Sequence, residues 1–192
     1  MRVAEQKFRE NIAEYLLYMF QIEDVIRSFN FDLDAILDVF VRPTLVDDSF
    51  VNQYKNWYSD LISQMQKQGV EKEGNLDSLK EIIIELIYLH NTLLTVVNDE
   101  KYKSLVDAAA EDILAFKEKS NFLKRHDIET LLHAMNMKLQ LKMRKQEISP
   151  ETELAMDKMR VQLAYLSREY GRMKSGESNF IQNKNRLESE KL

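Results

Sequence analysis

Three side chains able to hold a divalent metal, His126, Glu129 and His133, are separated by three and four residues. That spacing puts them on one stripe of a helix. Imidazole nitrogens and a carboxylate oxygen suit such an ion, so the triplet is a candidate metal site. A structural reading competes with it, because His126 falls at the edge of the helical segment, where a turn or capping role would aim it away from the other two. A second polar group crosses an apolar segment. Asn11, Glu14, Tyr18 and Gln21 recur at 3, 7 and 10 residues on one face, while Ile12, Leu16, Met19, Ile22 and Ile26 fill another. With Glu85, Tyr88, Thr92 and Thr95 on a matching face of a second apolar segment, and His90 beside them, this line is a candidate small-ligand site between two helices. The same residues also fit a paired seam that fixes helix register, since an unpaired buried polar group costs about 1 to 3 kcal/mol. His90 lies four residues after Leu86 and three before Leu93, which favours a satisfied core or interface histidine over a catalytic base.

Other chemistries lack their residues. There is no cysteine, which removes disulfides, thiolate zinc sites and cysteine nucleophiles. Neither the HExxH pattern nor the Glu-x-x-His pairs of di-iron bundles occurs. Acidic pairs with two intervening residues, as in all-helical nucleotide pyrophosphohydrolases, are also absent: Glu81 with Glu85 and Asp107 with Glu111 each enclose three. No cofactor is expected and no catalytic residue is assigned. Glu23 and Arg27, four apart in the favourable order, read as an intrahelical ion pair. Lys138, Lys142, Arg144 and Lys145 form a basic cluster without interleaved aromatics, which reads as a solvated face rather than a nucleic-acid surface.

The elements that must position these residues are helical. With 4 Gly and 2 Pro in 192 residues, against the usual roughly 7% and 5%, hairpins and phosphate loops have little material. Seven helices are expected. The first runs from about Ala4 to Ser28. The second, Leu33 to Val41, follows Asp32 and stops at Arg42-Pro43. The third begins near Asp48-Ser49, carries Phe50, Tyr54, Trp57, Leu61 and Met65, and ends at Gly69. The fourth, capped by Asn75 or Asp77, carries Leu79, Ile82, Ile83, Leu86, Leu89, Leu93 and Val97 and should pack beside the first. The fifth starts at Asn98-Asp99, with Tyr102, Leu105, Val106, Ala109, Ile113 and Phe116 inward, and ends near Ser120-Asn121. Asp127 should cap the sixth, whose inward stripe is Ile128, Leu131, Leu132, Met135, Leu139 and Met143. Ser149-Pro150-Glu151 opens the seventh, which continues to about Met173. The fold expected is all-α, a single helical bundle over residues 1–174 with a flexible polar tail over 175–192.

Charge is unevenly placed. Residues 1–100 hold 9 Lys+Arg against 18 Asp+Glu, and residues 101–192 hold 18 against 14, so an acidic half precedes a basic one. Two such halves can pair within a bundle or across a two-fold dimer. Trp57 and Tyr58 add a modest preference for a homodimer if both are covered, because one helix hides only part of such an aromatic group. The charged opening segment lacks the apolar core of a secretory signal. The longest apolar run, Ile82 to Val97, contains Glu85, His90 and Asn91 and falls short of the roughly 20 residues that span a bilayer. A cytoplasmic location without membrane contact is expected.

The run Asn11-x-Ala13-Glu14-Tyr15-x-Leu17-Tyr18-Met19-x-Gln21-x-Glu23-Asp24-x-Ile26-Arg27 resembles the opening signature of a bacterial domain-of-unknown-function family of cytosolic, all-helical proteins. Asp127-Ile128-Glu129, followed by Lys145-x-Glu147-Ile148-Ser149-x-Glu151-Thr152, resembles the pattern at that family's last helical junction. The sixth segment departs from it at Met135, Asn136, Met137 and Gln140. The resemblance implies an all-helical fold and supplies no activity. The sequence thus points to a non-enzymatic interaction or scaffolding protein with a protein partner or a second copy of itself. Its alternative is a small-ligand or metal-binding protein with a site in the polar seam.

Overall fold

The structure is a computed structural model and describes residues 2–45 and 47–177. Among the described residues there is helix and no strand, as the scarcity of glycine and proline requires. The elements are α1 (Arg2–Glu10), α2 (Ile12–Ser28), α3 (Leu33–Ala35), α4 (Val51–Lys67), α5 (Asp77–Thr95), α6 (Glu100–Ser120), α7 (Asp127–Met143) and α8 (Pro150–Lys174). The expected tail from residue 178 onward lies outside the described residues. No single described helix is long and apolar enough to cross a membrane; α5 and α6, bent by 112° at their junction, meet that length and composition only as a pair.

The chain divides into two compact units, one of Met1–Phe8 with Glu14–Glu81 and the other of Arg9–Ala13 with Ile82–Leu192. In the first, Asp32 caps α3 by accepting from Ala35 N–H at 3.0 Å. The helix then changes winding: Ile36–Val41 forms a π-helical turn and Arg42–Thr44 a 3₁₀ turn. Ile36, Leu37 and Val41 are buried, whereas Asp38, Val39 and Phe40 face out. The extent matches the expected second helix, but the wider winding was not legible in the sequence.

Helix α4 packs on this π-helical turn and buries Val51, Tyr58, Leu61 and Met65. The expected stripe through Phe50, Tyr54 and Trp57 is therefore rotated, and those three are half-buried. Tyr58 is 1% exposed within a single chain, so its burial needs no second subunit. The helix ends as the glycine predicted. Gly69 has φ +67°, and Val70 N–H returns to Met65 carbonyl oxygen at 3.0 Å.

The expected first helix is in fact two. It breaks at Asn11, and the reason is a tertiary bond in the second unit: Ser167 of α8 accepts from Ala13 N–H at 3.3 Å while donating to Asn11 Oδ1 at 2.7 Å. The opening turn of α2 thus has its amide satisfied from a distant helix. Only Glu14 and Ser28 of α2 are exposed, and Ile12, Leu16, Met19, Ile22 and Ile26 are all buried, as their spacing required.

In the second unit α6, α7 and α8 pack against one another. Asp99 caps α6 by accepting from Tyr102 N–H at 3.0 Å, and Asn121, at φ 58°, closes it in the left-handed region. Helix α7 buries residues around its first half, Ile128, Thr130, Leu131, Leu132, Ala134 and Met135, and its expected stripe stops there, because Met143 is 69% exposed. Ser149 opens α8 by accepting from Thr152 N–H at 3.2 Å, with Pro150 at the first helical position.

Candidate functional site

The structure does not assemble the metal triplet. His126, not Asp127, is the N-cap of α7: its Nδ1 accepts from Ile128 N–H at 3.2 Å, and Glu129 Oε2 accepts from His126 N–H at 2.9 Å, a reciprocal capping arrangement. His126 has extended backbone at φ −65°, ψ 150°, so it precedes the helix and leaves the stripe that periodicity assigned it. His133 meets Phe122 and Phe116 edge-on at ring separations of 4.4 and 6.3 Å. Among the described residues no three His, Asp or Glu side chains converge to hold a metal ion.

The residues of the polar line have separate partners. Asn11 is held by Ser167, and Glu14, exposed, takes Lys7 Nζ at 2.8 Å. Tyr18 and Gln21 are half-buried, and burial together with the nearby Tyr54 raises the Tyr18 hydroxyl above its usual pKa. On α5, Glu85 accepts from Tyr170 Oη at 2.5 Å and from Lys174 Nζ at 3.0 Å. These two donors hold its carboxyl below the ordinary range. Tyr88 is 71% exposed, and Thr92 and Thr95 donate to carbonyls four residues back in their own helix.

The residue that sequence reasoning misjudged in the first unit is Glu23. Expected as half of an intrahelical ion pair with Arg27, it is fully buried. Its carboxylate accepts Leu76 N–H at 2.8 Å and Asn75 Nδ2–H at 2.5 Å, supplying acceptors where α5 begins. Burial pushes its pKa up, against the lowering pull of those two bonds and of Arg27. Arg27 instead pairs with Asp24 at 3.1 Å and donates to the carbonyls of Val70 and Gly74. The signal was present in the sequence: Glu23 stands seven residues after Leu16, four after Met19 and three before Ile26, on the apolar stripe itself.

A second buried polar cluster belongs to the other unit. His90, 6% exposed, shares a hydrogen bond of 2.8 Å between Nδ1 and Tyr102 Oη, and its ring meets His126 edge-on at 5.5 Å. Burial, and then the neighbouring His126, lower its pKa. Tyr102 stacks on Tyr165 at 5.6 Å, and Tyr165 donates to Asp99 Oδ2 at 2.7 Å. Burial and that carboxylate push Tyr165 up to about 12. Gln162, fully buried, approaches the Tyr102 hydroxyl closely enough to lower its pKa as a hydrogen-bonding neighbour, though the contact falls short of good hydrogen-bond geometry. Glu169, 3% exposed, is clasped by Arg168 at 2.8 Å and Arg172 at 3.0 Å. The cluster is closed by its own contacts, which suits a structural role.

A concave feature of this unit lies where α6 and α7 end and α8 begins. It is a groove of about 420 Å³ with Met156 and Met159 at its base and Phe116, Met137 and Leu141 as walls. Ala115 and Ala155 also line it, and their small side chains leave room that larger residues would occupy. Methionine, unbranched and polarizable, makes such a surface adaptable. Outside the groove, Leu114, Met143 and Leu154, each next to or two residues from a lining position, are 54%, 69% and 64% exposed. Of its charged residues, Asp112 is paired with Lys158 at 2.8 Å; Lys119 and Glu151 also line it. The sequence reading placed no site here, because a void between helix ends depends on which small residues meet, and spacing along one helix does not report that.

A family model described as a domain of unknown function (DUF4924) matches residues 1–177. Searches of curated proteins and of solved structures return no match.

Proposed function

We propose that this chain, which belongs to the DUF4924 family of unknown function, is a non-enzymatic interaction module that docks a protein partner in the groove between α6, α7 and α8. The observation that carries this reading is the groove itself, floored by Met156 and Met159 and walled by Phe116, Met137 and Leu141. Grooves of roughly 300 to 1,000 Å³ also suit small molecules; exposed Leu114, Met143 and Leu154, one on each of the three helices that form the groove, favour a protein partner, as in sites that seat an amphipathic helix. The acid–base groups elsewhere support a non-catalytic reading: Glu23, Glu85, His90 and Glu169 are each engaged by protein donors or neighbours. A cytoplasmic, bacterial setting and the absence of nucleic-acid or membrane partners complete the proposal.

The test is site-specific photo-crosslinking in the cells that make the protein, with a benzophenone amino acid at Leu154 or at exposed Lys80. The expected result is a discrete protein adduct from position 154, absent from position 80 and abolished by Ala155→Trp, which fills the groove. Equal labelling at both positions, or an adduct that survives Ala155→Trp, would overturn the reading. The competing seam reading, through Asn11, Glu14, Tyr18, Gln21, Glu85 and His90, predicts instead a small molecule retained in native mass spectrometry and lost in Glu14→Gln.

A further inference from the structure

We infer that His126 is an acid-sensitive cap of α7: protonation of its imidazole releases the Ile128 amide and turns the ring away from His90 at the junction of α6 and α7. The opening amides of a helix have no acceptor inside it, and the Ile128 N–H is met by His126 Nδ1 at 3.2 Å. That bond needs the Nδ1 lone pair. A proton there replaces the acceptor with a second donor and sets a cation against the positive end of the helix. The side chains that cap α3, α6 and α8 are Asp32, Asp99 and Ser149, carboxylate and hydroxyl acceptors of the usual kind. Imidazole is the side chain that changes charge between roughly pH 5 and 8, and the sequence places it at α7.

The surroundings let the ring move while the turn stays wound. Thr130 donates to the His126 carbonyl oxygen through its N–H and its Oγ1, both at 3.1 Å, and Glu129 Oε2 accepts the His126 N–H at 2.9 Å. From α5, His90 meets the ring edge-on at 5.5 Å, with its own Nδ1 tied to Tyr102 Oη of α6. Burial, and then His126, lower the His90 pKa, so the buried ring resists the proton that the half-buried one can take. Lys117 of α6 is paired with Asp127, Arg125 lies over Phe122, and Tyr165 of α8 is bonded to Asp99 beyond Tyr102. Asp127 and Glu129, half-buried at the start of α7, are the carboxylates toward which a freed imidazolium can turn. The proton therefore exchanges one set of partners for another at a fixed backbone.

NMR of the full chain tests this, following the His126 ring protons and the backbone amides from pH 7.5 to 5.0. The Ile128 amide resonance should move with the same midpoint as the His126 ring. Its hydrogen exchange, corrected for the chemical rate, should quicken about fivefold to tenfold, the loss of one cap. Thr152 N–H, capped by Ser149, is the internal control and should keep its corrected rate. His126→Ser supplies a cap that does not titrate and should abolish both changes, whereas His90→Asn should leave them. An Ile128 amide as indifferent to acid as Thr152 would overturn the inference, as would changes that survive His126→Ser or vanish in His90→Asn. Should His126→Ser fail to fold, the two wild-type midpoints decide: coincidence supports the titrating cap and separation overturns it.

Discussion

Glu23 accepts the backbone N–H of Leu76 at 2.8 Å across 53 residues of sequence, so a buried carboxylate on α2 does the capping work at the start of α5. The cap residue of that helix could be guessed from Asn75 and Asp77, but the acceptor came from elsewhere. Asn75, the guessed cap, instead donates to the same carboxylate.

Replacing Glu23 by Ala should destabilise the protein by about 2 to 4 kcal/mol, because two donors lose their acceptor in a buried place. Glu23→Gln should cost less, since it keeps one oxygen for Leu76. The difference between the Gln variant and wild type should also move with pH. A carboxyl whose folded pKa is raised contributes stability that is full below its unfolded pKa of 4.5 and lost as pH rises through the folded value. Urea unfolding at pH 4.5 and pH 7.5 checks this: the Gln variant should gain relative to wild type at the higher pH.

His90 should give a pH dependence of opposite sign. Its folded pKa is depressed from 6.5, so the unfolded chain takes up the proton first, and stability falls as pH drops below about 6.5 toward the folded value. Thermal unfolding between pH 7.5 and 5.5 should show the decline, and His90→Asn should flatten it. A wild-type midpoint that is constant over that window would contradict the buried geometry of the His90–Tyr102 pair.

Gln162→Met should be neutral or stabilising by about 1 kcal/mol. The side chain is fully buried and its amide makes no hydrogen bond of good geometry, only a loose approach to Tyr102, so a thioether of similar length removes a poorly met desolvation cost without opening a cavity. Chemical denaturation measures it. A loss above about 1 kcal/mol would mean that the amide is bonded in solution.

Ser167→Ala should destabilise by about 1 to 2 kcal/mol, because it removes the acceptor of Ala13 N–H and the donor to Asn11 together. Hydrogen exchange should quicken at Ala13 before it does at Leu16. Ser149→Ala, which removes only a local cap, should cost about 1 kcal/mol and leave Ala13 unaffected.

The sequence by itself determined the all-helical class, the stops at Gly69 and Asn121, the starts at Asp99 and Ser149, and the inward face of α2. These depend on local chemistry: backbone freedom, cap side chains and the period of apolar residues along one element. Tertiary structure decided the break at Asn11, where Ser167 takes an α2 amide, and the reassignment of His126 from metal candidate to cap. It also decided the burial of Glu23. In each case a polar group chose between partners of similar chemistry, and only packing fixed which one lay within about 3 Å. The groove follows the same logic: Ala115 and Ala155 are ordinary helix formers in the sequence, and they shape a cavity only because α6 and α8 bring them to the same end of one unit.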